Sequence, residues 1–397
     1  MNRLSNRITS LSESQTIAMS QKSRELKAQG VDVISLSLGE PDFDPPQHVL
    51  DAAKSAIDGD FNHYPPVPGY MDLREAISKK FKEQNGLDYS PTQIVVSTGA
   101  KQSIANLVLS LVNPGDEVII LSPYWVSYQA LVQLAEADVK YVKAEISTDF
   151  KVTPEQLDAA ITDNTKLIMF SSPSNPTGGS YSAHDMAGLA RVIGKHKHVV
   201  AMADEIYEHI TFEGEHVSLA SFPEVADQVV TVNGVSKAYA MTGWRIGYIG
   251  APIDIAKACA KMQGQFTSGA NSIGQRAAIA ALSTSKDDLN KQRDVFRSRR
   301  DLFVSLFREV NGFEINVPTG AFYLFPKVEG TFGKSHSWGL INSSEDLCNY
   351  LLEEAHVATV PGEAFGAPGY IRMSYAASEA ELKEAARRIK EAVDALS

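Results

Sequence analysis

Three side chains next to short runs of β-branched residues could do chemistry. Asp204 directly follows the apolar run Val199–Ala203, Lys237 follows Ser236, and Arg245 closes a Gly-Trp-Arg segment. A buried carboxylate needs a cationic or donor partner, and a guanidinium suits a phosphate. Simpler interpretations are a helix N-cap for Asp204 and an ordinary surface residue for Lys237. Together the three predict a site for a phosphate-bearing ligand.

A turn of small residues offers a second anion-binding element. Gly99, Ala100 and Lys101 follow the run Ile94–Ser97 and precede the helical stretch Gln102–Leu111. Backbone N–H groups at a helix N-terminus bind phosphate readily. The sequence therefore predicts a phosphate-binding turn at these three residues.

The elements that must position these side chains alternate along the middle of the chain. We predict seven strands, which the sequence places at Ile94–Ser97, Glu117–Leu121, Val139–Val142, Lys166–Phe170, His198–Ala203, Val229–Val232 and Ile246–Gly250. Helical stretches such as Ala183–Lys195 separate several of them. Strands that alternate with helices indicate an α/β fold with a mostly parallel sheet between helices, and ligands bind beyond the carboxyl ends of such strands.

The pattern changes after about residue 290, where helices and short strands indicate a smaller α+β domain. We predict a large domain at 46–285 and a discontinuous small domain made of 1–45 and 286–397, because the first 45 residues are too few to form a domain alone. No internal repeats are evident.

Composition excludes several classes of protein. The 397 residues carry 37 Lys+Arg and 48 Asp+Glu, a net charge of −11, with 44% hydrophobic and 21% charged residues. These values are typical of globular proteins, and the acidic balance argues against nucleic-acid or anionic-membrane partners. The charge-free stretch 118–135 contains several polar residues and does not indicate a membrane span. Two cysteines form no disulfide framework, and the N-terminus has no secretory pattern, so we expect a cytoplasmic protein.

Several motifs are missing from the sequence. There is no G-x-G-x-x-G after a strand, no Walker-type phosphate loop and no H-E-x-x-H. His196 and His198 alternate, and His209 and His216 are isolated in the sequence. We expect these histidines to be exposed or satisfied by neighbours, and we predict no metal site.

The ordered set of motifs resembles the class I aminotransferases among the fold-type I pyridoxal-phosphate enzymes, and within them the prokaryotic aspartate aminotransferase branch. The resemblance covers essentially the whole chain, from Ser35–Phe43 to Tyr370–Tyr375. Between these two segments, the matching motifs begin at Ser97, Ser122, Ser171, Asp204, Asn233 and Gly243. Each motif alone is weak, but their order and spacing make the resemblance specific.

The resemblance implies a role for each residue that would hold pyridoxal phosphate. Lys237 would form a Schiff base with it and move the substrate Cα proton, Asp204 would pair with its ring nitrogen, and Tyr207 would donate to its phenolic oxygen. Further cofactor contacts are implied for Tyr64, Gly99, Ala100, Lys101, Trp125, Asn175, Ser236 and Arg245. Many relatives place Ser or Thr three residues before the lysine, where this chain has Gly234, so the hydroxyl contact with the phosphate is assigned to Ser236, which directly precedes Lys237.

Substrate contacts follow from the same resemblance. Arg372 would bind the α-carboxylate bidentately, with Asn175, Trp125 and the backbone of Gly39 beside it. One branch of the family binds the distal carboxylate of an acidic substrate with an arginine from the segment that corresponds to 263–275, which contains no arginine here. The other branch uses a lysine and a Ser-x-Thr pair, and Lys101, Ser14 and Thr16 match that arrangement. For Arg372 the simpler interpretation is a surface salt bridge.

The expected activity is a ping-pong transfer of the amino group of L-aspartate to 2-oxoglutarate. Tyr64 resembles a tyrosine that reaches the partner's phosphate, which implies a homodimer with shared active sites. An aromatic, prephenate or broad-specificity aminotransferase is the alternative. A pyridoxal-phosphate lyase or a non-catalytic regulator on the same scaffold fits the residues less well.

Overall fold

The computed structural model describes residues 3–397. Its strands are β1 (Ile34–Ser35), β2 (Ile94–Thr98), β3 (Glu117–Ser122), β4 (Asp138–Lys143), β5 (Thr165–Ser171), β6 (Val200–Asp204), β7 (Val229–Gly234), β8 (Ile246–Gly250), β9 (Tyr323–Leu324), β10 (Ser335–His336), β11 (Gly339–Leu340), β12 (Val357–Ala358), β13 (Val360–Pro361) and β14 (Ile371–Ser374). Its α-helices are α1 (Asn6–Thr9), α2 (Gln15–Ala28), α3 (Gln47–Asp58), α4 (Met71–Lys80), α5 (Gly99–Leu111), α6 (Ser127–Leu134), α7 (Pro154–Ala160), α8 (Ala183–Lys195), α9 (Ile253–Phe266), α10 (Ser272–Leu282), α11 (Lys286–Phe307), α12 (Ser344–Glu354) and α13 (Glu379–Asp394).

A seven-stranded sheet forms the centre of the molecule. Its strand order is β2-β8-β7-β6-β5-β3-β4, and β8 runs antiparallel to both of its neighbours while the other pairs are parallel. All seven strands predicted from the sequence are present, which confirms the predicted α/β fold with a mostly parallel sheet.

Both faces of this sheet are covered, and the alternation along β3 shows how. Ile119 and Leu121 pack into one apolar core, whereas Val118 and Ile120 pack into a second core on the opposite face. Successive side chains of a strand point to opposite faces, and a strand that is buried on both faces is apolar throughout. The continuous apolar runs in the sequence follow from this arrangement.

Two boundaries differ from the sequence-based prediction, and both concern the site. Helix α5 begins at Gly99 and not at Gln102, because the side chain of Gln102 accepts from the N–H of Thr98 at 2.6 Å and closes the first turn. Asp204 is the last residue of β6 and lies within the sheet's hydrogen-bonded ladder, opposite Ser171 and Val232.

A separate apolar core gathers residues from the two ends of the chain. It contains Met19, Leu36, Phe303, Leu351 and Ile389, together with part of the segment after β6. β1 pairs in parallel with β12, and β13, β14 and β9 form an antiparallel sheet in that order. The domain limits 46–285 and 1–45 with 286–397 stay a prediction.

Within residues 3–397, no helix is long and apolar enough to cross a membrane. Cys259 and Cys348 are both buried and carry free thiols.

Candidate functional site

A cavity of about 420 Å³ lies at the carboxyl ends of the central strands and is closed on its other side by Arg372 and Tyr323. Its walls include most of the residues predicted for the site, namely Ser14, Thr16, Gly39, Ala100, Lys101, Trp125, Asn175, Asp204, Tyr207, Ser236, Lys237, Arg245 and Arg372. Gly99 and Tyr64 are the predicted residues that do not line it. Parallel strands bring segments that are far apart in sequence to one edge, which explains the convergence.

Lys237 is partly buried and lines this cavity. Its Nζ donates to the carbonyl oxygen of Gly39 at 2.5 Å and lies 5.7 Å from the centre of the Tyr207 ring. Burial lowers the pKa of Lys237 to about 8, although the nearby carboxylate of Glu40 opposes that shift. A lysine amine with a lowered pKa carries more of the neutral form, which is the nucleophile.

Asp204 is also buried, and the chain gives it two donors. The hydroxyl of Tyr128 donates to its Oδ2 at 2.8 Å, and the N–H of Ile206 donates to its Oδ1 at 3.3 Å. Burial raises the pKa of Asp204 to about 6, and the two hydrogen bonds oppose that shift. A cationic ring nitrogen is the kind of partner that such a carboxylate lacks.

The predicted phosphate-binding turn and Arg245 lie against each other. Gly99 has a φ of +78°, and a Cβ there would lie 2.3 Å from Nη2 of Arg245. A Cβ on Gly247 would lie 2.1 Å from the backbone nitrogen of Ala100. Glycine at both positions therefore lets a guanidinium and the start of α5 approach closely, and together they form a cradle for an anion.

The departure from the family pattern at Gly234 has a steric reason. A Cβ at this position would lie 2.9 Å from the carbonyl oxygen of Ile246 and 3.0 Å from the Cα of Gly247. A Ser or Thr side chain therefore does not fit here, and the hydroxyl nearest in sequence that lines the cavity belongs to Ser236.

Lys101, Ser14 and Thr16 line the same cavity. The Nζ of Lys101 lies 5.1 Å from the centre of the Trp125 ring, and desolvation, with Arg245 nearby, lowers the pKa of this lysine. Oγ1 of Thr16 is buried without a hydrogen-bond partner in residues 3–397. A cation and hydroxyl groups are groups that can bind a carboxylate.

Arg372 also lines the cavity and is fully buried. Its Nη1 donates to Oδ1 of Asn175 at 2.9 Å, and its Nη2 donates to the carbonyl oxygen of Ser37 at 2.5 Å. No acidic side chain pairs with it in the part of the chain that the structure describes, and its Nε has no hydrogen-bond partner there. A surface salt bridge is excluded by this burial, and an anionic ligand can neutralise the guanidinium.

Sequence reasoning missed two tyrosines that line the cavity. Tyr128 lies three residues after Trp125, in the first turn of α6, and the centres of the two rings are 5.6 Å apart. The hydroxyl of Tyr323 lies 2.7 Å from that of Tyr207, a contact across 116 positions that no local pattern indicates.

Tyr64 is not part of the cavity formed by its own chain. Its side chain is 94% exposed, which is unusual for a large aromatic residue flanked by prolines. The predicted contact of Tyr64 with a second subunit therefore stays a prediction.

Two of the histidines that are isolated in the sequence lie against carboxylates in the structure. His216 lies 3.0 Å from Oε2 of Glu205, which also accepts from Ser218 at 2.6 Å. His209 lies 3.3 Å from Oε1 of Glu208, and Glu208 is buried against Nζ of Lys80. Both histidines therefore have neighbours within the protein, as expected from the sequence.

The residues present fit pyridoxal phosphate. The cradle at Gly99 and Arg245 suits its phosphate, the carboxylate of Asp204 suits a protonated ring nitrogen, and the amine of Lys237 suits its aldehyde. Arg372 and Lys101 remain as cations for a substrate. The net charge of −11 therefore belongs to the rest of the molecule, because this cavity gathers four cations around one carboxylate.

Comparisons with known proteins give a consistent result. Residues 31–389 match the family model described as aminotransferase class I and II. An aspartate aminotransferase of Rhizobium meliloti is 45% identical over 394 residues, covering 98% of this chain and 96% of that protein. An aspartate/prephenate aminotransferase of Cereibacter sphaeroides is 46% identical over 390 residues, covering 98% of both.

Solved structures agree with these sequence matches. The crystal structure of the aspartate aminotransferase from Rhizobium meliloti superposes with a TM-score of 0.96 at 44% identity and full coverage of both chains. The aspartate aminotransferase of Thermus thermophilus with maleate gives a TM-score of 0.93 at 39% identity, covering 99% of this chain and 100% of that one.

Proposed function

This chain belongs to the class I and II aminotransferases, enzymes that use pyridoxal phosphate, and we propose that L-aspartate is its amino donor and 2-oxoglutarate its acceptor. The products are oxaloacetate and L-glutamate, formed by a ping-pong mechanism. The observation that carries the proposal is that two cations without acidic partners in residues 3–397, Arg372 and Lys101, line the same cavity.

Arg372 is the proposed site for the α-carboxylate. Its guanidinium is oriented by Asn175 and by the carbonyl oxygen of Ser37, and its Nε is free of protein partners within residues 3–397. A planar guanidinium binds a carboxylate through two parallel hydrogen bonds, so a substrate bound here has its α-carbon directed towards Lys237.

Lys101 is the proposed site for the distal carboxylate, with the hydroxyls of Ser14 and Thr16. Lys101 has no acidic partner within residues 3–397, so the second carboxylate of a substrate can pair with it. The same pocket discriminates against substrates that lack a second carboxylate, because they leave Lys101 unpaired. All relatives and structures named above carry aspartate in their names, which supports a dicarboxylic donor.

Lys237 and Asp204 are the proposed catalytic pair. Pyridoxal phosphate, when bound, withdraws electrons from the bonds to the substrate's α-carbon. Lys237 would hold the cofactor, and its Nζ, with a pKa near 8, would take the proton from that carbon and return it. Asp204 would keep the ring nitrogen protonated, and Tyr207 would donate a hydrogen bond to the phenolic oxygen.

We assign binding of the cofactor's phosphate to Gly99, Ala100, Ser236 and Arg245. Lys101 would lie close to this phosphate, and Trp125 would lie beside the cofactor's ring. Tyr64 would complete the site of a second copy of the chain, so we propose a homodimer. Its 94% exposed side chain supports this arrangement. We also propose that 1–45 with 286–397 closes over a bound substrate, since Arg372 and Gly39 belong to that part.

Steady-state kinetics over a panel of donors and acceptors test the proposal. We expect kcat/KM for aspartate with 2-oxoglutarate to exceed the values for alanine and phenylalanine. Prephenate is the second acceptor to measure, because the Cereibacter sphaeroides relative carries that substrate in its name. A kcat/KM for phenylalanine above that for aspartate would contradict the aspartate proposal.

A further inference from the structure

Tyr323 lies where three parts of the proposed site meet. Its ring centre is 4.7 Å from the guanidinium carbon of Arg372, and its hydroxyl is 2.7 Å from that of Tyr207. The side chain is fully buried apart from the cavity that it lines. β9, which carries Tyr323, pairs with β14, which carries Arg372, so the two residues are held at fixed positions on adjacent strands.

The position of Tyr323 also explains why residue 39 is a glycine. A Cβ on Gly39 would lie 1.9 Å from the hydroxyl oxygen of Tyr323 and 3.0 Å from its ring carbon Cζ. Gly39 does not adopt a positive φ, so its backbone conformation does not require glycine. The missing side chain instead leaves the space that the hydroxyl of Tyr323 occupies.

The two tyrosine hydroxyls share one hydrogen bond and have two hydrogens, so one hydrogen remains for a ligand. Either hydroxyl could donate in the shared bond, and the proposed role of Tyr207 sets the direction. If the hydrogen of Tyr207 goes to the cofactor, the oxygen of Tyr207 can take part in the shared bond only as an acceptor, so Tyr323 is the donor.

We propose that Tyr323 is a positioning residue that connects the substrate-binding arginine to the cofactor-binding tyrosine. Its ring supports Arg372, and its hydroxyl donates to the oxygen of Tyr207, which leaves the hydrogen of Tyr207 available to the phenolic oxygen of the cofactor. Hydrogen bonds in a chain strengthen one another, so this arrangement makes Tyr207 a stronger donor. The inference rests on the proposed function, because it takes the role of Tyr207 from it.

The test uses the cofactor-loaded protein and the pH dependence of its visible absorbance. A hydrogen bond to the phenolic oxygen stabilises negative charge there and so lowers the midpoint of the absorbance change. Tyr323→Phe keeps the ring and removes only the hydroxyl, so we expect the midpoint to rise by about 0.3–1 pH unit. Tyr207→Phe should raise it at least as far. Asp204, Lys237 and Arg372 also face Tyr207 and stay unchanged in both variants.

The double variant separates this role from a merely structural one. If Tyr323 acts through Tyr207, adding Tyr323→Phe to Tyr207→Phe should produce no further shift of the midpoint. Tyr350→Phe is the matched control, since this buried tyrosine donates to the carbonyl oxygen of Ala392 in the same part of the molecule. Its midpoint should equal that of the unmodified protein.

The ring is tested separately with maleate. Tyr323→Leu removes the support under Arg372, so we expect the Kd for maleate to rise roughly fivefold or more, whereas Tyr323→Phe should change it less than twofold. The inference would be overturned if Tyr323→Phe left the midpoint unchanged. It would also be overturned if Tyr323→Phe shifted the midpoint equally in the unmodified protein and in the Tyr207→Phe variant. An unmodified protein that binds no cofactor would instead overturn the proposed function.

Discussion

The hydroxyl of Tyr128 donates to Oδ2 of Asp204 at 2.8 Å, and both side chains are buried. This contact is one of only two hydrogen bonds from residues 3–397 to the Asp204 carboxylate. Burial favours the neutral acid and raises the pKa of Asp204 to about 6, whereas a donor favours the anion. Tyr128 therefore helps Asp204 to stay charged at neutral pH.

Removing this donor should weaken the binding of pyridoxal phosphate. A hydrogen bond to a charged group contributes about 1.5–3 kcal/mol, so Tyr128→Phe should raise the Kd of the cofactor roughly 10- to 100-fold. Absorbance titration of the cofactor-free protein measures this. Tyr89→Phe is the control, because the hydroxyl of this buried tyrosine hydrogen-bonds Thr231 and not Asp204 within residues 3–397. Equal Kd values for Tyr128→Phe and the unmodified protein would show that Asp204 does not depend on this donor.

Lys101 should distinguish dicarboxylic from other amino acids. Lys101→Ser should raise KM for aspartate roughly 10- to 100-fold, since a charge-assisted contact is lost, but should change KM for alanine or phenylalanine only slightly. Steady-state kinetics on each donor measure this ratio. Lys79→Ser, at an exposed position on α4, should leave all values unchanged. Equal losses for both classes of donor would contradict the distal-carboxylate role.

The buried ion pair of Lys80 and Glu208 should matter for stability more than for binding. Lys80→Met leaves Glu208 charged and without its cation, which costs about 3–5 kcal/mol. Adding Glu208→Gln removes the uncompensated charge and should recover a large part of that loss. Urea denaturation of the cofactor-free protein measures the free energies of unfolding of the single and the double variant. A double variant no more stable than Lys80→Met alone would contradict the ion-pair account.

His209 should make the protein less stable in mild acid. Burial lowers its pKa to about 4 in the folded chain, against about 6.5 in the unfolded chain. Between these values the unfolded chain binds a proton that the folded chain does not, so stability falls as pH falls. When the pH falls from 7 to 5, the free energy of unfolding of His209→Gln should decrease by about 1–2 kcal/mol less than that of the unmodified protein. The exposed residue His184 provides the control, His184→Gln, and an unchanged pH dependence in His209→Gln would refute the prediction.

The sequence predicts the sheet well because its strands are buried on both faces and so carry continuous apolar runs, as in Val118–Leu121. Residues at strand ends, such as Asp204 and Ser236, could be placed at one edge from the same pattern. Tyr323 could not, because its contacts with Tyr207 and Gly39 join segments that only the folded chain brings together. The buried pair of His216 and Glu205 was missed although the two are close in sequence, because nothing local shows that a loop turns the imidazole inward.

The proposed role of Tyr64 involves a second subunit. Its side chain is exposed and does not line the cavity of its own chain, and the proposed homodimer assigns it to the phosphate of a second copy. Residues that act across such a boundary cannot be identified from contacts within one chain.

Amino transfer by the cofactor-loaded protein and by its Lys237→Ala variant tests the central claim most directly. With aspartate and 2-oxoglutarate, the unmodified protein should form oxaloacetate and glutamate over many turnovers. The variant should lose multiple turnover by at least about a hundredfold, because it lacks the group that moves the α-carbon proton. Undiminished turnover by Lys237→Ala without an added amine, or no transfer by the unmodified protein, would contradict the account.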